Sequence, residues 1–391
     1  MPWTEVRPMD QKLLFLADYL RGGYSFTALC ALYGISRKTG YKWVKRYQQH
    51  GLEGLDERSR QPLNQPLKTP HALRKAILSL RHHKGAVLGA KKIQALLAQR
   101  YADTPTPSRT TIYNILNSEG LIQKRRRKRR VPPFPQPFKP VSAPNELWSV
   151  DFKGQFKLGN GRYCYPLTVM DHDSRYLLCC DGLHSTRHSE ARHSFERLFK
   201  DYGLPERIRS DNGVPFATRA AGGLSRLAVW WIRLGICPER IEPGQPQQNG
   251  RHERMHRTLK QATTKPPQRS LKQQQQAFER FRTSYNEERP HEALAQRPPV
   301  TRYCASPRTF PARLPELHYP DYYELRKVRR SGVVYWHNGQ VYISHLLEDE
   351  YIGLNEIDDG IWEVYFGPMR LGTLDERATR GSSSFYLTLK V

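Results

Sequence analysis

Seven consecutive cations, Lys124-Arg125-Arg126-Arg127-Lys128-Arg129-Arg130, interrupt the chain about a third of the way along. Like charges at that density repel one another and cannot build a packed element. Prolines follow at positions 132, 133, 135, 137, 140 and 144, and proline stiffens an extended linker. Each side of this stretch must therefore fold around its own core. A length of 391 residues allows two or three domains. A hydrophobic fraction of 38% with 11% aromatic excludes a fully disordered chain.

The charge balance points to a polyanion. Lys and Arg number 63 against 37 Asp and Glu, a formal net charge of +26. Residues 1–141 carry 27 basic against 8 acidic side chains, residues 142–319 carry 28 against 18, and residues 320–391 carry 8 against 11. A field of that sign attracts nucleic acid. No 18-residue apolar run exists, so no membrane span is expected. The patch Leu13-Leu14-Phe15-Leu16 is cut short by Asp18 and does not read as a signal peptide. Six cysteines without a CxxC pair argue against a disulfide scaffold or a zinc ribbon and suit a reduced, intracellular protein.

Before the basic run the apolar residues follow a helical period. A helix is expected from about Asp10 to Arg21, stopped by Gly22-Gly23. Ser25 can cap a second, carrying Ala28, Leu29 and Leu32, and Ser36 a third, with Tyr41, Val44 and Tyr47 in its apolar stripe. The turn Tyr33-Gly34-Ile35-Ser36 between them makes a helix-turn-helix, whose second helix enters the DNA major groove. Arg37, Lys38, Lys42 and Lys45 lie outside its apolar stripe and are candidate DNA contacts. A second unit begins at Pro70, with Leu73, Ala76, Ile77 and Leu80 on one face, then Ile93, Leu96 and Leu97. Its last helix, capped by Ser108 and closed by Gly120, offers Arg109, Thr110, Tyr113 and Asn114 as readers. The basic run, Lys124, Arg125, Arg126 and Arg127 included, reads as a strap along phosphates.

From Leu147 the period changes to two: Trp148, Val150 and Phe152 share one face, Ser149 and Asp151 the other. Strands are expected at Tyr163–Asp171, Tyr176–Cys180, Arg207–Ser210 and Ile236–Ile241, with helices near Ser189–Tyr202 and Ala228–Leu234 and a polar helix from about Gln248. This is a mixed α/β domain. Beyond residue 320, His337-Asn338-Gly339 marks a hairpin and Asp359-Gly360 another turn, so a small all-β barrel is expected.

Three acids stand out in this basic chain. Asp151 lies inside a strand, where Asp is depleted. Asp211 ends a strand before Asn212-Gly213, and Glu253 shares a helix stripe with Arg257 and Lys260. Phosphodiester cleavage needs an activated oxygen and a stabilised leaving oxygen, which two hard cations held by carboxylates can supply. Each acid also has a structural reading: Asp151 as a buried partner of an arginine, Asp211 as a turn residue, Glu253 as half of a surface ion pair. Asp171 and Asp173 compete for the metal role, although they read as strand-end and hairpin residues.

The segments LWSVDFKG around Asp151, RSDNGVPF around Asp211 and PGQPQQNGRHERMHRTLK around Glu253 occur in the order seen in DDE transposases of bacterial insertion sequences. The chain resembles that family over essentially its whole length. The family's core is similar to retroviral integrases and has a ribonuclease-H-like fold. The resemblance implies that Asp151, Asp211 and Glu253 are a catalytic triad holding two Mg²⁺ (or Mn²⁺) ions per site. It implies further that Arg257 and Lys260 face DNA and that Gln248 and Asn249 sit on a mobile loop near the cut end. Forty-one residues (212–252) separate the last two acids, more than is usual in the family, which fits an insertion around Ala220-Ala221-Gly222-Gly223, expected as a surface loop. The His and Cys zinc motif of retroviral integrases is absent.

The expected protein is a multi-domain transposase. It has a helix-turn-helix domain (1–60), a second helix-turn-helix domain (66–123), a basic Pro-rich linker (124–144), an α/β ribonuclease-H-like core (145–305) and a small β-barrel (320–391). The net negative barrel suits protein contact in a multimer, or phosphate contact through Arg326, Lys327, Arg329 and Arg330. Double-stranded DNA, as element ends and target, and further copies of the chain are the expected partners, in a bacterial cytoplasm and on the nucleoid when DNA-bound. The alternatives are a DNA-binding regulator derived from a transposase and a ribonuclease-H-like nuclease without strand transfer.

Overall fold

The structure, a computed structural model, describes residues 8–57, 68–82, 87–122, 138–218, 220–242, 245–337, 339–376, 386–387 and 389–390. The basic run lies outside the described residues, and with it the expected contacts of Lys124, Arg125, Arg126 and Arg127. The chain divides into two compact units, Met1–Lys68 and Thr69–Val391.

In the first unit, α1 (Pro8–Arg21), α2 (Phe26–Leu32) and α3 (Arg37–His50) pack as a trihelical helix-turn-helix. Two serines define the helix starts by capping orphan backbone donors: Ser25 Oγ accepts from Ala28 N and Ser36 Oγ from Thr39 N. Gly34 at φ 63° makes the turn between α2 and α3, a backbone region open to glycine. The core is Phe15, Leu16, Leu29, Cys30, Trp43, Val44 and Leu55. Three expectations are corrected here. Ala28 and Leu32 are exposed, as is Tyr41, which stacks on Phe26 at 4.1 Å. Trp43 fills the core position instead, and Lys12 and Lys42 lie 3.9 and 4.4 Å from its ring centroid.

The second unit begins with α4 (His71–Arg81), α5 (Ala90–Arg100) and α6 (Arg109–Ser118), again trihelical. Leu80, Ile93, Leu97, Ile112 and Leu116 fill its centre. Ser108 caps α6 by accepting from Thr111 N.

The strands β1 (Leu147–Phe152), β2 (Phe156–Lys157), β3 (Tyr163–Asp171) and β4 (Leu177–Leu183) form an antiparallel group. After α7 (His188–Tyr202), strand β5 (Arg207–Ser210) pairs parallel to β1. After α8 (Arg226–Arg233), strand β6 (Cys237–Arg240) pairs parallel to β5. The result is a mixed sheet of order β2-β3-β1-β5-β6, with β4 also on β3. Helices α9 (Gly250–Thr263) and α10 (Leu271–Glu287) complete this core. Alternation along β1 sends Trp148 and Val150 into a cluster with Phe195 and Phe199 of α7 and Trp231 of α8. On the other face Met170, Leu177 and Cys180 meet Met255 and Leu259 of α9 and Phe278 of α10. Both faces are covered, which explains why parallel strands are tolerated here.

The C-terminal segment adds β7 (Glu324–Lys327), β8 (Val333–Trp336), β9 (Gly339–Tyr342), β10 (Tyr351–Asp358), β11 (Ile361–Phe366), β12 (Met369–Asp375), β13 (Tyr386–Leu387) and β14 (Leu389–Lys390). They pair as two sheets, β14-β12-β11-β10-β7 and β13-β9-β8. The described strands do not pair into the single closed barrel expected from the sequence. The expected surface loop at Ala220–Gly223 is also corrected. All four residues are half-buried, and Gly222 lies against Leu371 of β12. Leu224, Ala228, Val229 and Ile232 share one core with Val334, Trp336, Ile352 and Phe366, so the insertion joins the sheets to α8.

Gly40 sits where α3 crosses α2, and a Cβ there would lie 2.8 Å from Cys30 Sγ and 2.9 Å from Phe26 Cζ. Gly40→Ala is expected to destabilise the first unit by about 1–3 kcal/mol through overpacking. A shift of that unit's unfolding transition, with the transition of residues 69–391 unmoved, checks this.

Candidate active site

Strand pairing brings two acids together. In the parallel pair β1/β5, Ser149 lies opposite Arg209, and Asp151 and Asp211 each lie two residues further on, Asp211 directly after the paired end of β5. Neighbouring strands are about 4.8 Å apart. Alternation turns Asp151 toward α9, as it does Ser149 and Arg209, which reach His252 Nδ1 (2.9 Å) and the Gln248 carbonyl (3.2 Å), and the Asp211 charge acts on Asp151 from the end of β5. Gly213 N donates to Asp211 Oδ1 at 3.1 Å, fixing that carboxylate at the turn.

Burial, then the negative charge of Asp211, and with a smaller effect that of Glu253, push the Asp151 carboxyl from 3.8 up to about 7, against the pull of Lys153 and the Phe152 N–H. Burial also raises Asp211. Glu253 is exposed on α9 beside Arg257 and Lys260, while His252, Met255, His256 and Leu259 face inward. The three acids thus interact electrostatically. Among the described residues, however, no three His, Cys, Asp or Glu side chains are gathered closely enough to hold a metal ion as they stand.

Beneath Asp151 lies a polar network that the sequence reading missed. Thr168 is paired with Asp151 across β1/β3. Its Oγ1 is 2.9 Å from the Asp151 carbonyl, 2.7 Å from His252 Nε2 and 2.6 Å from His256 Nε2. Burial holds His252 down to about 3 and His256 lower still, so both rings are neutral. A hydroxyl has one proton. With that proton on the Asp151 carbonyl, both rings donate through Nε2. His256 then turns a bare Nδ1 toward Asp151 Oδ2, 3.5 Å away. That arrangement favours the protonated acid, in keeping with its raised pKa. The signal was present as His252 and His256 at spacing i, i+4 on the inward stripe of α9.

The other expected site residues divide. Arg37, Lys38, Lys42 and Lys45 are exposed on α3, and Arg109, Thr110, Tyr113 and Asn114 on α6. Gln248 and Asn249 are buried, at 5% exposure each, in a 3-10 turn, contrary to their expected place on a loop near cut DNA. Gln248 Oε1 instead accepts from Glu242 N at 2.8 Å. Asp171 is wholly buried and accepts from Asn145 N and Ser174, and Asp173 pairs with Arg302. Both are structural, in line with the strand-end and hairpin reading. Of the C-terminal cations, Arg326, Lys327 and Arg330 are paired with Glu324, Asp349 and Glu348.

Two integrase core domain families match the chain, over residues 141–246, which hold Asp151 and Asp211, and over 234–299, which hold Glu253. A helix-turn-helix domain matches residues 11–62 and a homeodomain-like domain 39–116. Together the two matches give residues 141–299 the signature of an integrase core domain. The chain is 28% identical over 214 residues to an uncharacterized 31.7 kDa protein of insertion element IS407 from Burkholderia multivorans (54% of this chain, 74% of that protein). It is 28% identical over 223 residues to an uncharacterized 39.2 kDa protein of insertion element IS476 from Xanthomonas euvesicatoria (56% of this chain, 61% of that protein). A 122-residue stretch is 34% identical to the Gag-Pol polyprotein of baboon endogenous virus, covering 31% of this chain and 7% of that polyprotein. Among solved structures, the HTLV-2 integrase catalytic core domain in complex with magnesium aligns at TM-score 0.32 and 15% identity, over 41% of this chain and 97% of that one.

The raised Asp151 value carries a pH dependence. A carboxyl whose folded value exceeds its ordinary one costs stability as pH rises from 3.8 through about 7. Asp151→Asn is therefore expected to raise the unfolding temperature at pH 8 but not at pH 3.5, by roughly 2–4 kcal/mol of stability. Equal effects at both pH values would contradict the assignment.

Proposed function

We propose that this chain binds the ends of its own insertion element and carries out divalent-metal-dependent DNA cleavage and strand transfer with Asp151, Asp211 and Glu253. The observation that carries the reading is the placement of Asp151 in β1 and of Asp211 directly after the paired end of β5, with Asp211 and Glu253 both acting on the Asp151 charge. Carboxylate oxygens are the ligands that Mg²⁺ and Mn²⁺ prefer. Burial and then the repulsion of Asp211 hold Asp151 partly protonated near pH 7, and a divalent cation would relieve that repulsion, so the residues fit such an ion. When bound, a pair of these ions would polarise the scissile phosphate and lower the pKa of an attacking oxygen.

The chain's own residues supply the remainder. Asp151 and Asp211 would hold the ions from the sheet and its edge turn, and Glu253 would complete the set by turning its side chain from α9. Arg257 and Lys260 would hold phosphates along the same helix stripe. The Thr168–His252–His256 network fixes the Asp151 backbone from below. Arg37, Lys38, Lys42 and Lys45 on α3, and Arg109, Tyr113 and Asn114 on α6, would read two stretches of the element end.

In this reading the chain works as helix-turn-helix domains at 1–60 and 66–123, a linker at 124–144, a ribonuclease-H-like core at 145–305 and a β domain at 320–391. Two ends must be processed together, which calls for an oligomer on DNA, at the nucleoid of a bacterial host. Among the described residues no helix is long and apolar enough to cross a membrane.

The test uses the full-length protein, Mg²⁺ and a labelled duplex of the element end with target DNA. Asp151→Asn and Glu253→Gln are each expected to lower cleavage and joining at least about a thousandfold, while end affinity changes less than about threefold. Strand transfer retained by either variant would remove the triad. Binding without cleavage by the wild type would favour a regulator, and cleavage without joined products a nuclease.

A further inference from the structure

On the flank of α9 away from the carboxylates, the described residues enclose a cavity of about 540 Å³ lined by Arg175, Arg251, Arg297 and Arg302, with Asp173 as its one carboxylate. Ligand sites commonly measure about 300–1,000 Å³. The cavity's charge does not balance. Arg302 takes Asp173 in a bidentate pair, Nε to Oδ2 at 2.6 Å and Nη2 to Oδ1 at 3.0 Å. Arg175 and Arg251 both donate to a single neutral acceptor, the carbonyl of His172, the latter at 3.0 Å. Among the described residues Arg175, Arg251 and Arg297 form no ion pair with a carboxylate, and Asp173, already held by Arg302, is the one acid of the cavity that acts on Arg175 and Arg251. Burial and the charge of Arg251 push the Arg175 guanidinium down to about 10. Arginines held together without anions gain from an incoming anion, and their planar forks match phosphate oxygens.

The backbone around the cavity is constrained as well. Arg175, Ala295 and Gln296 adopt φ of 65°, 51° and 64°, in the left-handed region that non-glycine residues seldom enter. Such positions concentrate at ligand clamps.

Geometry on α9 says where a ligand would come from. Arg251 and Glu253 point about 160° apart at 3.6 residues per turn. Between them, over the solvent-facing crest, stand the exposed Arg254 and Arg257. A line of cations thus runs from the acidic flank over the helix into the cavity. We propose that this cavity is a second phosphate-binding site, which holds backbone phosphates of a DNA strand after it has crossed α9 from the carboxylates.

The proposal rests on the reading of the chain as a DNA-processing enzyme and adds a site to it. Its test is the salt dependence of affinity of the full-length protein for a fluorescein-labelled duplex of the element end. Each phosphate contact contributes about 0.9 to the slope of log affinity against log salt. The double variant Arg251→Gln/Arg297→Gln should lose about 1.8 from that slope, a roughly tenfold smaller advantage of low salt between about 50 and 200 mM. Arg251→Lys/Arg297→Lys should keep the slope, and Arg313→Gln, an exposed cation outside the cavity, should leave it unchanged. An unaltered slope in a folded double variant whose wild type binds and cleaves DNA overturns the cavity alone. So does an equal loss in Arg313→Gln, since the effect would then be the general field of the protein. A wild type that does not bind the duplex overturns both the cavity and the broader reading.

Discussion

Two carboxyl groups, one in β1 and one directly after the neighbouring parallel strand β5, repel each other, and much of the second unit is arranged around that repulsion. Asp151 and Asp211 are kept close by backbone pairing of β1 with β5. They cannot relax apart without breaking the sheet, and the sheet is locked on both faces by α7 and α8 on one side and α9 and α10 on the other. Burial of Asp151, with this repulsion added to it, gives an acid whose proton is lost near neutrality. A water-exposed pair of acids would have no such property, because solvent would screen it. The strained pair is therefore a product of the fold rather than of either residue.

The layer below the acids is polar where a core would ordinarily be apolar. Ser149, Thr168, His252 and His256 are all buried and satisfy one another between β1, β3 and α9. Buried polar groups are tolerated only when paired. This set ties the helix bearing Glu253 to the strand bearing Asp151 through directional bonds, where apolar packing alone would permit rotation and sliding. Arg209 does the same from the neighbouring strand β5: wholly buried, it joins Glu239 of β6 to the Gln248 carbonyl ahead of α9.

Much of this was legible in the residues. Serine caps at 25, 36 and 108, the period-two run from Leu147 and the ends of β3 and β5 are local signals, and each appears where the local chemistry places it. What escaped depends on contacts between distant segments. The placement of Trp43 rather than Tyr41 in the core depends on how α3 crosses α1 and α2, which helical spacing alone does not determine. The family resemblance implied a mobile loop for Gln248 and Asn249, but Arg209 and the Glu242 backbone draw that segment inward. The stretch Ala220–Gly223 resembles a solvated loop until the C-terminal strands cover it. The pairing of those strands into two sheets is likewise a long-range matter: hairpin turns fix neighbours, not closure.

The central claim is that Asp151 and Asp211 share a divalent cation with Glu253 brought in from α9. Mn²⁺ bound to the full-length protein at pH 8 gives the most direct view, through its anomalous diffraction signal in a crystal with element-end DNA. The account predicts density between the Asp151 and Asp211 carboxylates, with Glu253 turned to reach it. Mn²⁺ bound elsewhere, with those two carboxylates left free of it, would contradict the account.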